Sequence, residues 1–459
     1  MAEGVVHVGL LPNAGMGHLT PFLRLAALLL KHNCKVTLIT PQPTVSLAES
    51  ELISRFHSQF PQVTRIDFHL LPFDATSANS TDPIFLRFES VRRSAHSLSP
   101  LLDSISPPLS ALVFDLTLIS PIIPVIETLS LPSFILFTSS ARMFSFFSYF
   151  PSFANVSDHN HDSLVIPGIP PVPRSSIPPL LRDPNSIFAR MFTEDSGKLR
   201  KFNGILINTF AGLEAESLEA LRERKVSKEL PPVFAIGPFE PCEFERLKKE
   251  NSTSKWLDDQ PQGSVVFVSF GSRTAMRREQ IREIGDGLLR SGCKFLWVVK
   301  DKPIDREEKE GLEQVVGHEL MDKLKEKGLV VKTWVDQNEI LGHGAVGGFV
   351  CHCGWNSVIE AALNGVKILA WPQHGDQKIN AEVVEMGGLG MWVKDWGRGE
   401  KDLVKGEEIG KAIRQMMNNE SPKISLFKIQ EAARKALGVG GNCQIMFQRL
   451  IEEWKKKDV

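Results

Sequence analysis

A histidine between two cysteines, Cys351-His352-Cys353, stands directly before Gly354-Trp355-Asn356-Ser357 and a run of helical period. The first chemistry to weigh is metal binding. A zinc site needs about four ligands, and the sequence holds no second Cys/His cluster to complete one. On a strand His352 would face opposite to Cys351 and Cys353, so the three do not converge on one ion. No metal is expected. Anion binding is the better reading. "GGFVCH" reads as a strand, Gly354 lets the chain turn closely, and Asn356 and Ser357 fall in the first helical turn. A helix N-terminus offers free N–H groups and partial positive charge, which suits a phosphate. His352 and the Asn and Ser side chains add donors. Glu360 lies one turn beyond Asn356 on the same face, placed to accept hydrogen bonds from a ribose diol.

A second group of residues could move a proton. "LLPNAGMGHL" follows the first strand and opens a helix. As a dinucleotide loop it is a poor match: Thr20 sits where the third glycine belongs, and "LITPQP" ends the next strand without a ribose acid. A nicotinamide oxidoreductase is therefore the remote alternative. His18 in this loop has two readings: a packing or capping histidine, favoured by spacing alone, or a base. Asp115 ends the strand "ALVFD" at the same sheet edge. A buried carboxylate there would hold the imidazole in one tautomer and raise its basicity.

The elements that must position these residues are legible as alternating runs. "VVHVGLL" (5–11), "KVTLIT" (35–40), "ALVFDL" (111–116), "SFILFT" (133–138) and "GILINT" (204–209) read as buried parallel strands. "PFLRLAALLLKH" between the first two is a crossover helix. The pattern begins again with "SVVFVSF" (264–270), "KFLWVVK" (294–300), "GLVVKTW" (328–334), "GGFVCH" (347–352) and "VKILAW" (366–371). Two such series predict two doubly wound α/β halves facing one cleft, joined by a polar, aperiodic stretch at 237–255. The Pro-rich segment 165–184 is expected to be a stiff extended loop.

At 459 residues the chain suits two domains. Its 42% hydrophobic and 23% charged residues are those of a soluble globular protein. A net charge of −1 gives no global field to draw nucleic acid or an anionic membrane. The six cysteines are scattered, which suits a reducing compartment. The N-terminus carries an acid and no basic leader, and the longest apolar runs are broken by Arg24, or by Asp115 with Pro121 and Pro124. The expectation is a cytoplasmic monomer with no membrane span and no nucleic-acid partner.

Trp334 to Gln377, "WVDQNEILGHGAVGGFVCHCGWNSVIEAALNGVKILAWPQHGDQ", resembles the donor-binding box of plant UDP-dependent glycosyltransferases. "GMGHLTP", "FILFTSSA", "GILINTF" and "SVVFVSFGSRTAM" extend the resemblance along the chain. It implies the GT-B architecture. Residues 1–240 would be an acceptor-binding Rossmann-like domain, 241–255 a linker, 256–435 the UDP-sugar-binding domain, and 436–459 a helix returning to the first domain. The resemblance further implies that Trp334 stacks on uracil, that Gln337 and the Val335 backbone read its edge, and that Glu360 holds the ribose. His352, Gly354, Asn356, Ser357 and Ser272 would hold the diphosphate; Trp355, Asp376, Gln377 and Thr138 would hold the sugar, with Gln377 pointing to glucose. His18 and Asp115 match the family's base and its orienting acid, for an inverting transfer with UDP-glucose as co-substrate and neither cofactor nor metal.

A narrower resemblance concerns the acceptor. "TDPIFLRFESVRRSAHSL" (81–98), "FVSFGSRTAM" and the terminal "HGDQ" are similar to plant flavonoid C-glucosyltransferases, which act on 2-hydroxyflavanones, dihydrochalcones such as phloretin, or acyl-phloroglucinols. The rival is an O-glucosyltransferase of the same family. Asp82-Pro83-Ile84 departs from the Asp-Pro-Phe of some members, and Lys367 replaces a usual proline, a change expected to matter little. Asp82, Phe144 and Phe147 are candidate acceptor contacts; Phe144, Phe147 and Phe150 could equally be helix core.

Overall fold

The computed structural model describes residues 5–72, 83–154, 162–246, 252–302, 310–396, 403–419 and 422–455. The chain divides into two compact units, Met1–Phe244 with Lys435–Val459, and Glu245–Arg434.

The first unit is built on a seven-stranded parallel sheet: β1 His7–Leu11, β2 Lys35–Gln42, β3 Thr64–His69, β4 Ala111–Asp115, β5 Ser133–Phe137, β6 Gly204–Ile207 and β7 Val233–Ala235, in the spatial order β3-β2-β1-β4-β5-β6-β7. β1, β4 and β5 are buried along their whole length, as expected of strands covered on both faces. The helices that bear on the site are α1 Met16–Lys31, α2 Leu47–Gln59, α3 Pro83–Ser94 and α4 Ala141–Ala154. Gly15 caps α1 at φ 97°, a conformation that glycine adopts without strain. The final helix, Asn442–Lys455, belongs to this unit. Its Phe447, Leu450, Ile451 and Trp454 enter the same core as Phe22, Leu25 and Leu29 of α1.

The second unit repeats the scheme with β8 Val265–Ser269, β9 Lys294–Val298, β10 Gly328–Val331, β11 Val346–Cys351, β12 Lys367–Ala370 and β13 Gly390–Trp392. They are ordered β10-β9-β8-β11-β12-β13, again all parallel. Its site-bearing helices are α5 Trp355–Asn364, α6 Gln377–Met386 and α7 Gly406–Asn418.

Three strands escaped the sequence reading: β3, β7 and β13. Each lies at a sheet edge, where one side needs no partner and the apolar run is short or interrupted. The stretch read as a linker is partly ordered, since Ser252–Asp258 forms a helix. The Pro-rich segment carries a small antiparallel ribbon, Ser163–Leu164 with Val172–Pro173. Buried Arg142 ties it down by donating to the carbonyls of Pro170 (3.1 Å) and Pro171 (2.9 Å).

Lys367 overturns its expectation. It starts β12, is only 9% exposed, and its Nζ donates to the carbonyls of Met416 (3.4 Å), Met417 (3.2 Å) and Asn419 (2.7 Å). It thus caps the C-terminus of α7, where a cation is favoured by the helix dipole. Hydrogen bonds to a charged group contribute about 1.5–3 kcal/mol. Lys367→Met should therefore lower the thermal unfolding temperature by several degrees, measured by circular dichroism; an unchanged melt would deny the cap its role.

Candidate active site

In a doubly wound sheet the strand order reverses at one point, and ligands bind outside the carboxyl ends of the strands there. In the first unit that point lies between β1 and β4. His18 follows β1 in the first turn of α1, and Asp115 is the last residue of β4. The fold brings them together: His18 Nδ1 is 2.8 Å from Asp115 Oδ2. Asp115 is fully buried, while the His18 side chain is 25% exposed. A carboxylate only accepts, so Nδ1 carries the proton and Nε2 is the basic nitrogen. Thr138 Oγ1 lies 3.3 Å from the same Nδ1. The packing reading of His18 gives way to an ordered acid–base pair.

Sequence reasoning missed several residues around the pair. The Phe88 ring meets the imidazole edge-on, centroids 5.3 Å apart. Buried Glu49 of α2 accepts from Gly15 N (2.7 Å) and Val45 N (3.2 Å), holding the loop that delivers His18. Thr117 donates to Asp115 through both its backbone N–H and its hydroxyl. Only the helical period of 83–94 hinted at Phe88; the other two contacts are long-range or turn geometry that spacing does not encode.

Phe144 and Phe147 do not line an acceptor pocket. With Phe150 they are almost wholly buried in α4, packed on Phe137 (5.0 and 5.9 Å for Phe144 and Phe147) and on Phe192 (5.0 and 5.6 Å for Phe147 and Phe150). They form core because an aromatic face on a helix that covers a sheet has nowhere drier to go. Asp82 lies outside the described residues. A cavity of about 420 Å³ in this unit, lined by Ser148, Tyr149, Arg200 and Lys228 among others, includes none of the expected site residues.

The second unit has its reversal between β8 and β11. The loop after β8 and the turn after β11 therefore meet, and glycine makes the meeting possible. A Cβ at Gly271 would lie 2.6 Å from His352 Cε1, and one at Gly354 would lie 2.5 Å from His352 Nε2. Gly271 also has φ +76°. Gly354 is the N-cap of α5, with no side-chain cap on the helix start. Asn356 and Ser357 follow in its first turn. Burial, helped by the charge of His374, pushes the His352 pKa down to about 3. The ring is thus neutral near pH 7 and offers a single N–H, not a cation. Its Nδ1 is buried without a hydrogen-bond partner, while the Nε2 edge of the ring is the one turned to the start of α5. The Ser272 carbonyl is fixed by Lys300 Nζ.

The remaining donor residues cluster nearby in sequence and in space. Gln337 Nε2 donates to Glu360 Oε2 (2.8 Å) and Ser357 Oγ (3.0 Å). The short helix Gln337–Leu341 that carries it is capped by Asp336, which accepts from Glu339 N at 3.0 Å. This explains the Asp before Gln337. Trp334 is 50% exposed, and Val335 is half-buried beside it. An indole so exposed on a glycine-bearing site is a ready platform for a flat base. Cys351 and Cys353 are both buried, burial raises the Cys353 thiol well above its usual pKa, and no group of three or more His, Cys, Asp or Glu suited to a metal ion forms among the described residues.

The residues present fit a nucleoside diphosphate, and comparison with known proteins agrees. Residues 244–434 match the family model described as UDP-glucoronosyl and UDP-glucosyl transferase. The chain is 56% identical to UDP-glycosyltransferase 708G2 of Citrus unshiu over 98% of this chain and 96% of that protein. It is 46% identical to UDP-glycosyltransferase CGT of Oryza sativa subsp. japonica, over 97% and 96%. The crystal structure of LpCGTa in complex with UDP superimposes with a TM-score of 0.88 at 44% identity, covering 98% of this chain and 99% of that one. The chain belongs to the UDP-glycosyltransferase family.

In this UDP-glycosyltransferase the turn before α6, expected to meet the sugar, is held by its own side chains. Gln377 is 4% exposed. Its Oε1 accepts from Gln373 N (2.8 Å) and His374 N (3.0 Å), and its Nε2 meets His374 Nδ1 at 3.2 Å. These bonds shape the turn. His374 Nε2 is 3.3 Å from Thr274 Oγ1, linking this turn to the loop after β8. Asp376 accepts from Asn380 Nδ2 at 2.8 Å. Trp355, the first residue of α5, is 3% exposed.

Proposed function

We propose that this UDP-glycosyltransferase transfers glucose from UDP-glucose to a ring carbon of a flavonoid-type polyphenol, with inversion, in the cytosol. The observation that carries the reading is the His18–Asp115 pair at 2.8 Å with Nε2 left basic. His18 removes a phenolic proton from the acceptor. The resulting phenolate of a 1,3,5-trihydroxyphenyl ring carries negative charge on its ortho carbons. One of these attacks the anomeric carbon as UDP leaves; loss of the ring proton then restores aromaticity. The start of α5 and the His352 N–H stabilise the charge growing on the diphosphate.

Carbon linkage rests on the likeness of 81–98 and 268–276 to flavonoid C-glucosyltransferases, and it accords with relatives whose names carry the abbreviation CGT. Incubation with UDP-glucose and phloretin should yield a product that survives acid hydrolysis and fragments by cross-ring cleavage of the hexose. An acid-labile product that loses the whole hexose would make the enzyme an O-glucosyltransferase.

A further inference from the structure

We propose that Thr117 is a positioning residue for the catalytic pair, fixing the Asp115 carboxylate through a hydrogen-bond relay whose direction the structure determines. The inference rests on the reading of His18 as the base. Its starting point is Asn13, in the loop before α1. Ala14 N donates to Asn13 Oδ1 at 2.8 Å. A backbone N–H cannot accept, so this end of the amide is the oxygen and the other is the NH₂. Asn13 Nδ2 lies 2.6 Å from Thr117 Oγ1. The hydroxyl must accept there, which directs its only proton to Asp115 Oδ1 at 2.7 Å. Thr117 N donates to the same oxygen at 3.0 Å. Oδ1 is thereby held by two bonds from one residue, and Oδ2 faces His18 Nδ1.

The turn that carries Thr117 is held from behind as well. Arg92 of α3 donates from Nη1 to the Thr117 carbonyl at 3.0 Å and lies 3.4 Å from Asp195 Oδ2. Ser120 N donates to Asp195 Oδ1 at 3.1 Å. Both charged side chains are largely buried, 14% and 7% exposed. α3 thus grips the pair from two sides: Arg92 behind the turn, and Phe88, one helical turn earlier, against the imidazole. This helix is the segment whose sequence resembles flavonoid C-glucosyltransferases. Its place in the relay gives that segment a physical task, which is to hold the base where a carbon nucleophile must be formed.

The test uses Thr117→Val, which keeps shape and removes the hydroxyl, beside Thr117→Ser, which restores it. A misplacement of about 1 Å can cost roughly 10²-fold. Thr117→Val should lower kcat about 10- to 100-fold and leave the UDP dissociation constant within about twofold, and Thr117→Ser should recover most of the rate. Wild-type kcat in Thr117→Val, or equal impairment of both variants, would overturn the relay. So would a parallel loss of kcat, UDP affinity and melting temperature, which marks a merely structural residue. His18→Ala run alongside separates the two claims: if it stays active, the base reading fails; if it is dead while Thr117→Val is normal, only the relay fails.

Discussion

His18→Ala should lower kcat by about 10²–10⁴-fold, the usual contribution of a general base, while UDP binds as before. The expectation follows from the position of one proton. Asp115 is wholly buried and accepts from His18 Nδ1, so the imidazole reacts through Nε2. Alanine removes the acceptor for the phenolic proton and leaves a buried carboxylate with its Thr117 bonds intact. The residues expected to hold UDP, from Ser272 to Glu360, all belong to the second unit, and none depends on His18 for a hydrogen bond among those described. Steady-state rates with a phenolic acceptor, paired with calorimetric titration of UDP, separate the two effects. Near-normal turnover in the variant would take the base assignment away from His18.

The second large effect is expected at Trp334. Its indole is 50% exposed, so its flat face is open to a base. Stacking of a base on an aromatic ring contributes about 1–3 kcal/mol as read by alanine substitution. At about 1.4 kcal/mol per tenfold, Trp334→Ala should weaken UDP binding roughly 5- to 150-fold. Folding stability should hardly change, since exposed positions usually fall within about 0.5 kcal/mol of neutral. Trp334→Phe should keep much of the affinity because a flat face remains. An unaltered UDP dissociation constant in the alanine variant would mean that the uracil sits elsewhere.

Ten of the principal strands were legible because buried parallel strands are apolar on both faces and write themselves as continuous runs; the edge strands β3, β7 and β13 do not. The strand–turn–helix start of α5 was also legible, since glycine, the following polar residues and a helical run are a local pattern. The donor box was readable for the same reason: its parts lie within one stretch of chain, so spacing alone sets most of its geometry.

Tertiary structure decided what depends on contacts between distant residues. Spacing left His18 undecided between packing and catalysis and offered Asp115 as its carboxylate; the strand reversal between β1 and β4 brings the two to 2.8 Å. Phe144 and Phe147 have the composition of a pocket, yet covering a sheet made them core. Lys367 looked like an idle replacement until the end of α7, some fifty residues on, came within reach of its ammonium. Apolar period and local turn chemistry are properties of neighbours along the chain, so the sequence by itself determined the two sheets and the glycine-led start of α5. Which side chain faces a substrate, and which partner orients it, depends on how the layers close on one another, and that only the folded molecule decided.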